Sequence, residues 1–198
     1  MRQITEKWTE IEIVQTLREG RHDGQIVAVS RYADRIFAMI VRLVPDVMDA
    51  QELTQDTFLR AFCRIDSYDA KKASLATWLC RIAYHLTLDF LKRRRPVIVS
   101  IEDSQVWQTD INDEELEAEL STRREERIAK LENLMDELPD EEKMLLTLYY
   151  FEDRPLTEIA YIIGVDAKAL ANRMYRTRRK LYSKLKIEFS EQREQSRT

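Results

Sequence analysis

An all-helical protein, built as two small helical domains joined by an acidic linker, is the fold this sequence predicts, and three observations predict it. Only three glycines and four prolines interrupt 198 residues in which leucine, alanine, glutamate and arginine are abundant, a composition of strong helix formers. Apolar side chains recur at three-and-four spacing, and no run alternates as a half-buried strand would. Charge is also segregated: residues 1–95 hold 16 basic and 13 acidic side chains, residues 96–130 hold 4 and 10, and residues 131–198 hold 12 and 13. The net charge of −4 therefore belongs to the middle. The expected organisation is a domain over 1–95, a flexible acidic linker over 96–127 and a second domain over 128–198.

The first domain opens with helical segments over 11–19 and 25–44. The second of these carries Ile26, Val29, Ala33, Ile36, Phe37, Ile40 and Leu43 as an apolar stripe, and Pro45 ends it. Asp49 is the expected N-cap of the next helix, DAQELTQDTFLRAF, with Glu52 three positions on in capping-box style. Ala50, Leu53, Thr57, Phe58 and Ala61 share one face of it; Glu52, Gln55, Asp56 and Leu59 share the other. That acidic strip fits either an ordinary solvated face or a protein-docking surface. The turn-rich RIDSYDAKKASLA leads into TWLCRIAYHLTLDFLKRRR, where Leu79, Ile82, Leu86 and Phe90 form an inward stripe. Trp78, Arg81 and His85 repeat on a neighbouring strip, beside Lys71 and Lys72 and ahead of four consecutive cations ending at Arg95. An aromatic, a guanidinium and an imidazole there suit unstacked bases and phosphates; equally, Trp78 suits a core, with the basic end complementing the helix dipole.

In the second domain Ile128, Leu131, Leu134, Met135 and Leu138 mark a helix that stops at Pro139, and Asp140 opens the next with acids in its first turn. LTEIAYIIG, then VD, then AKALANRMYRTRRKLYSKL reads as a short helix from near Thr157, a turn at Gly164 and a long helix capped by Asp166. That is the helix-turn-helix pattern. Leu170, Met174, Leu181 and Leu185 line one side of the long helix. Lys168, Asn172, Tyr175, Arg176 and Arg179 project from the other, flanked by Arg173 and Arg178. From Ala167 to Ile187 there are eight lysines or arginines and no acid, which points to DNA: the first side chains at base edges, the later cations on phosphates.

Composition excludes other classes of function. Mean hydropathy of −0.48 and the absence of an apolar run near ~18 residues argue against membrane insertion, and the charged start MRQITEKWTEIE is unlike a signal peptide. A cytoplasmic location is expected. Cys63 and Cys80 make no disulfide framework and at most half a metal site. Gly20, Gly24 and Gly164 are too scattered for a phosphate-cradling loop. His22 and His85 stand alone, so neither catalytic residues nor a cofactor or metal are expected.

The order DAQELTQDTFLRAF, ATWLCRIAYHLTLDFLKRRR, an acidic gap, then LPDEEKMLLTLYYFEDRPLTEIAYIIGVDAKALANRMYRTRRKL resembles an extracytoplasmic-function sigma factor of bacterial RNA polymerase, over about residues 25 to 187. The resemblance implies promoter recognition and promoter melting, without catalysis by this chain. It implies that Glu52, Gln55, Asp56 and Phe62 face the clamp of core RNA polymerase. It implies that the loop from Asp66 to Ser74 and the helix from Thr77 to Arg95 melt and read the minus-ten element, through Tyr68, Lys71, Lys72, Ser74, Thr77, Trp78, Arg81 and His85. The helix from Ala167 onward matches the reader of the minus-thirty-five element, with Lys168, Asn172, Arg173 and Arg176 as contacts and Arg178 and Arg179 beside them. Members of the family are commonly held inactive by an anti-sigma factor clamped on or between the two domains, and the linker would allow that. The competing reading is a stand-alone helix-turn-helix regulator that binds duplex DNA without polymerase.

Overall fold

The computed structural model describes residues 8–94 and 133–195, with side chains as far as Leu185. The acidic linker, Arg95, the start of the helix expected from Ile128 and both chain ends lie outside the described residues. Every regular element among the described residues is helical, and no helix there is long and apolar enough to cross a membrane.

The first helix, α1 (Glu10–Arg18), starts on a complete capping box. The Thr9 Oγ1 accepts from the Glu12 amide at 3.3 Å, and the Glu12 carboxylate accepts from the Thr9 amide at 2.7 Å. Helix α2 (His22–Val41) crosses it closely at Gly24, where a Cβ would lie 2.4 Å from the Thr16 Oγ1, so only glycine fits. This crossing fixes the rotation of α2. Val27, Ala28, Ile36, Met39 and Ile40 turn inward, whereas Ile26 and Val29, expected in the apolar stripe, are exposed.

Helix α3 (Val47–Cys63) begins a turn earlier than the sequence suggests. Its cap is Asp46, whose Oδ1 accepts from the Met48 and Asp49 amides at 2.9 and 3.1 Å. Asp49 lies inside the helix and pairs instead with Arg94, at 2.5 and 3.1 Å. The apolar face over Ala50, Leu53, Thr57, Phe58 and Ala61 is buried as expected. A 3-10 turn (Ile65–Ser67) and a loop then lead to α4 (Leu75–Arg94). The loop is pinned to α1: the Tyr68 hydroxyl donates to the Glu10 Oε1 at 2.7 Å, and Arg18 donates to the Tyr68 carbonyl at 3.0 Å.

The second domain is described from a helical turn over 133–136. Helix α5 (Asp140–Leu146) runs on into a π-helical turn (Thr147–Phe151). Asp153 then takes a left-handed φ of 48° and aims Arg154 inward. Helix α6 (Leu156–Ile163) ends at Gly164, whose φ of 83° gives the left-handed stop that glycine adopts without strain. Asp166 caps α7 (Ala167–Gln195), its Oδ1 accepting from the Lys168 amide at 2.8 Å. Leu170, Met174 and Leu181 are buried beneath α7, so the helix-turn-helix forms where the sequence placed it.

Candidate functional site

Three surfaces hold the residues singled out by sequence. The first is the outer face of α3. Glu52, Gln55 and Asp56 are all exposed, and Leu59 stands among them with 61% of its surface open. One turn back, Met48 (74% exposed) and Val47 extend the strip with apolar surface. Placing the cap at Asp49 hid those two from the sequence reading. Phe62 is only half-buried, its ring 6.0 Å from that of Phe58. An acidic strip studded with unpartnered apolar side chains is chemically fit to dock on protein, because desolvating it gains apolar contact while the charges fix register.

The second surface is the face of α4 with the loop before it, and of the two readings open for Trp78 the structure shows the core one. Trp78 is 6% exposed and Thr77 2%, and Tyr68 is buried with its ring 5.5 Å from the indole. Burial and the Glu10 carboxylate both push the Tyr68 hydroxyl well above the ordinary tyrosine range, so it remains a hydrogen-bond donor. Trp78 and Tyr68 thus belong to the core. Lys71, Lys72, Ser74 and His85 are exposed. Partial cover of its ring by neighbouring atoms, then the charge of Arg81, lower the His85 imidazole from its ordinary value, against the pull of Asp89.

Arg81 and Thr77 are occupied by the second domain. Arg81 donates to the Tyr161 carbonyl at 2.7 Å and lies over that ring at 5.0 Å. The Thr77 hydroxyl donates to Glu158 at 2.9 Å. Arg154, itself buried, donates to the Thr77 hydroxyl at 3.2 Å, to Glu158 at 2.9 Å and to the Cys80 thiol at 3.0 Å. Around this centre Arg35 pairs with Glu152 at 3.0 Å, Lys92 with Glu141 at 3.8 Å, and Arg42 stacks on Phe151 at 4.1 Å. Sequence reasoning missed Arg154 altogether, since one arginine between Asp153 and Pro155 reads as turn.

The third surface is α7. Lys168, Asn172, Tyr175 and Arg176 are exposed along one side, which is the arrangement a groove-reading helix requires. Arg173 is half-buried and donates to Glu141 at 2.7 Å. Arg178 lies over the rings of Tyr149 and Tyr150 at 5.0 and 5.3 Å, so it packs on its own domain, and Arg179 is half-buried. Among the described residues no three His, Cys, Asp or Glu side chains gather where an ion could sit.

The family model described as Sigma-70 region 2 matches residues 28–97, and that described as Sigma-70, region 4 matches residues 128–181. The chain is 26% identical over 185 residues to the ECF RNA polymerase sigma factor SigW of Bacillus subtilis, covering 87% of this chain and 95% of that one. It is 26% identical over 189 residues to the ECF RNA polymerase sigma-E factor of Haemophilus influenzae, covering 92% and 98%. Among solved structures the fold is similar to that of CnrH, determined in complex with the cytosolic domain of CnrY, with a TM-score of 0.60, 21% identity, and 90% and 97% of the two chains covered. It is similar too to the sigma factor RpoE of Bartonella quintana, determined with the anti-sigma factor NepR, with a TM-score of 0.54, 18% identity, and 81% and 95% covered.

Proposed function

The chain belongs to the sigma-70 family as an extracytoplasmic-function sigma factor, and from that premise we propose how its three surfaces divide the work. It directs core RNA polymerase to particular promoters and promotes their melting; its partners are the core enzyme, promoter DNA and, as with the solved relatives, an anti-sigma factor. It is a transcription initiation factor, acting where polymerase acts, in the cytoplasm, and contributes no catalytic group. Residues 1–95 form the region 2 domain, 96–127 the linker and 128–198 the region 4 domain. In this reading Glu52, Gln55, Asp56 and Leu59 dock on the core enzyme, with Phe62 bracing the helix from behind. Lys71, Lys72, Ser74 and His85, joined by Arg81 once it leaves the Tyr161 carbonyl, hold separated minus-ten DNA on a platform that Tyr68, Thr77 and Trp78 support. Lys168, Asn172 and Arg176 enter the minus-thirty-five major groove, with Arg173 and Arg179 near the phosphates.

The observation that carries this is the pairing of an exposed acidic and apolar α3 face with an exposed cationic α7 face on one chain. A stand-alone regulator needs only the second. The test is affinity for core polymerase. Gln55→Ala combined with Asp56→Arg replaces two exposed side chains, and the expected result is at least tenfold weaker binding with helicity unchanged. Unaltered affinity would mean that the α3 face is merely solvated.

A further inference from the structure

Glu10 lies on α1, ahead of the span 28–97 that matches the region 2 model, yet its carboxylate is bonded into the loop assigned to minus-ten DNA. One oxygen, Oε1, accepts from the Tyr68 hydroxyl at 2.7 Å and from the Leu75 amide at 2.9 Å. Tyr68 follows the 3-10 turn and Leu75 is the first residue of α4, so a single atom ties the two ends of the loop together. We propose that Glu10 is a positioning residue for minus-ten recognition: from α1 it fixes the loop that carries Lys71, Lys72 and Ser74, and so sets where those side chains meet separated DNA. The inference rests on the family reading and deepens it, since that reading says which residues touch DNA and not what aims them.

The amides at the start of α4 need acceptors from outside the helical ladder. The Ser74 hydroxyl meets that of Thr77 at 3.2 Å, and Glu10 meets that of Leu75, its negative charge lying against the positive end of the helix dipole. Leu75 is fully buried, so water does not readily take the carboxylate's place. The Tyr68 hydroxyl has an alternative acceptor in the Ala73 carbonyl at 3.1 Å, which makes the Leu75 amide the more sensitive end of the tether. Inside the loop Asp69 holds its own turn: its Oδ1 accepts from the Lys71 amide at 3.0 Å and its carbonyl from the Lys72 amide at 3.0 Å. The two lysines thus ride on an internally bonded turn, and what remains to be fixed is how that turn sits on the domain. Arg18 adds a second hold from α1, donating to the Tyr68 carbonyl at 3.0 Å. Between the two holds an open cleft separates α1 from residues 68–71, so hydrogen bonds rather than close packing place the loop there.

Two measurements on the full chain test this. Hydrogen exchange of the free chain reads the tether: in Glu10→Ala the segment 69–77 should exchange at least tenfold faster, while the core amides of α2 and α3 keep their rates. Run-off transcription with core polymerase reads the consequence, on a promoter the chain selects and on the same promoter with its minus-ten bases exchanged. Wild type should prefer the first by at least tenfold, and Glu10→Ala should bring that preference toward one with affinity for core polymerase unchanged. Glu10→Gln keeps an oxygen that accepts both bonds and should match wild type in both measurements. A merely structural Glu10 would lower the amount of active holoenzyme and leave the preference ratio alone. Wild-type exchange in Glu10→Ala, an unchanged preference with the loop loosened, or a Glu10→Gln as defective as Glu10→Ala would each overturn the assignment. A wild-type holoenzyme without any preference would overturn the minus-ten reading itself, and with it the role but not the tether, which the exchange rates decide without polymerase or DNA.

Discussion

Replacing Trp78 by alanine separates a core residue from a base-stacking one. The indole is 6% exposed and packs on the Tyr68 ring at 5.5 Å. Truncating a buried Trp to Ala costs about 3–5 kcal/mol through lost transfer energy and the cavity left behind. Domains of this size are stable by about 5–15 kcal/mol, so the first domain would be left with little reserve. With a urea dependence of about 1–3 kcal/mol per molar, the unfolding midpoint should fall by more than about 1 M. The assay is urea unfolding of the full chain followed by far-ultraviolet circular dichroism, with Trp78→Phe as a milder control that keeps most of the contact. A side chain that only stacks on DNA bases would, when truncated, change stability within about ±0.5 kcal/mol. An unchanged midpoint in Trp78→Ala would refute the core assignment and return the indole to the DNA-facing surface.

Three further outcomes follow from particular contacts. Asp46→Ala should lose about 0.5–2 kcal/mol with the α3 cap, whereas Asp49→Ala, which loses an ion pair with the exposed Arg94, should lose no more than about 1 kcal/mol; urea midpoints in the reverse order would restore Asp49 as the cap. Gly24→Ala should cost about 1–3 kcal/mol, because its Cβ would meet the Thr16 side chain at 2.4 Å, and a thermal midpoint equal to wild type would contradict that crossing. The hydrogen bond from Arg173, helped by Lys92, holds the Glu141 carboxyl below its ordinary value of 4.5. A depressed folded value means that the stabilisation is complete above that ordinary value and is lost as pH falls through the folded one. Thermal melts between pH 6 and 3 should show Glu141→Gln lacking part of the acid destabilisation seen in wild type, and coincident pH profiles would show that the pair contributes nothing.

What the sequence revealed was whatever local rules decide. The helix-turn-helix was readable because Gly164, Asp166 and the Leu170, Met174 and Leu181 stripe each act within a few residues of themselves. The inward face of α3 was readable for the same reason. The α3 start was not, because Pro45-Asp46-Val47-Met48-Asp49 offers two capping aspartates, and choosing the second buried the question of where Val47 and Met48 point. The rotation of α2 was set by the contact of Gly24 with another helix, which spacing alone does not encode. Trp78 and Thr77 lie on α4 beside Arg81 and His85, and helical spacing cannot rank two adjacent strips by burial. The contacts that occupy Arg81 and Thr77 come from residues 80 and 81 positions away. They arise only when the two domains meet, and composition carries no trace of them.

Run-off transcription with purified core polymerase over a library of genomic fragments tests the promoter-directing role most directly. Adding this chain should produce initiation at a restricted set of start sites, and Asn172→Ala with Arg176→Ala should abolish or redistribute them while core binding persists. Active core enzyme that initiates identically with and without the chain would contradict the assignment.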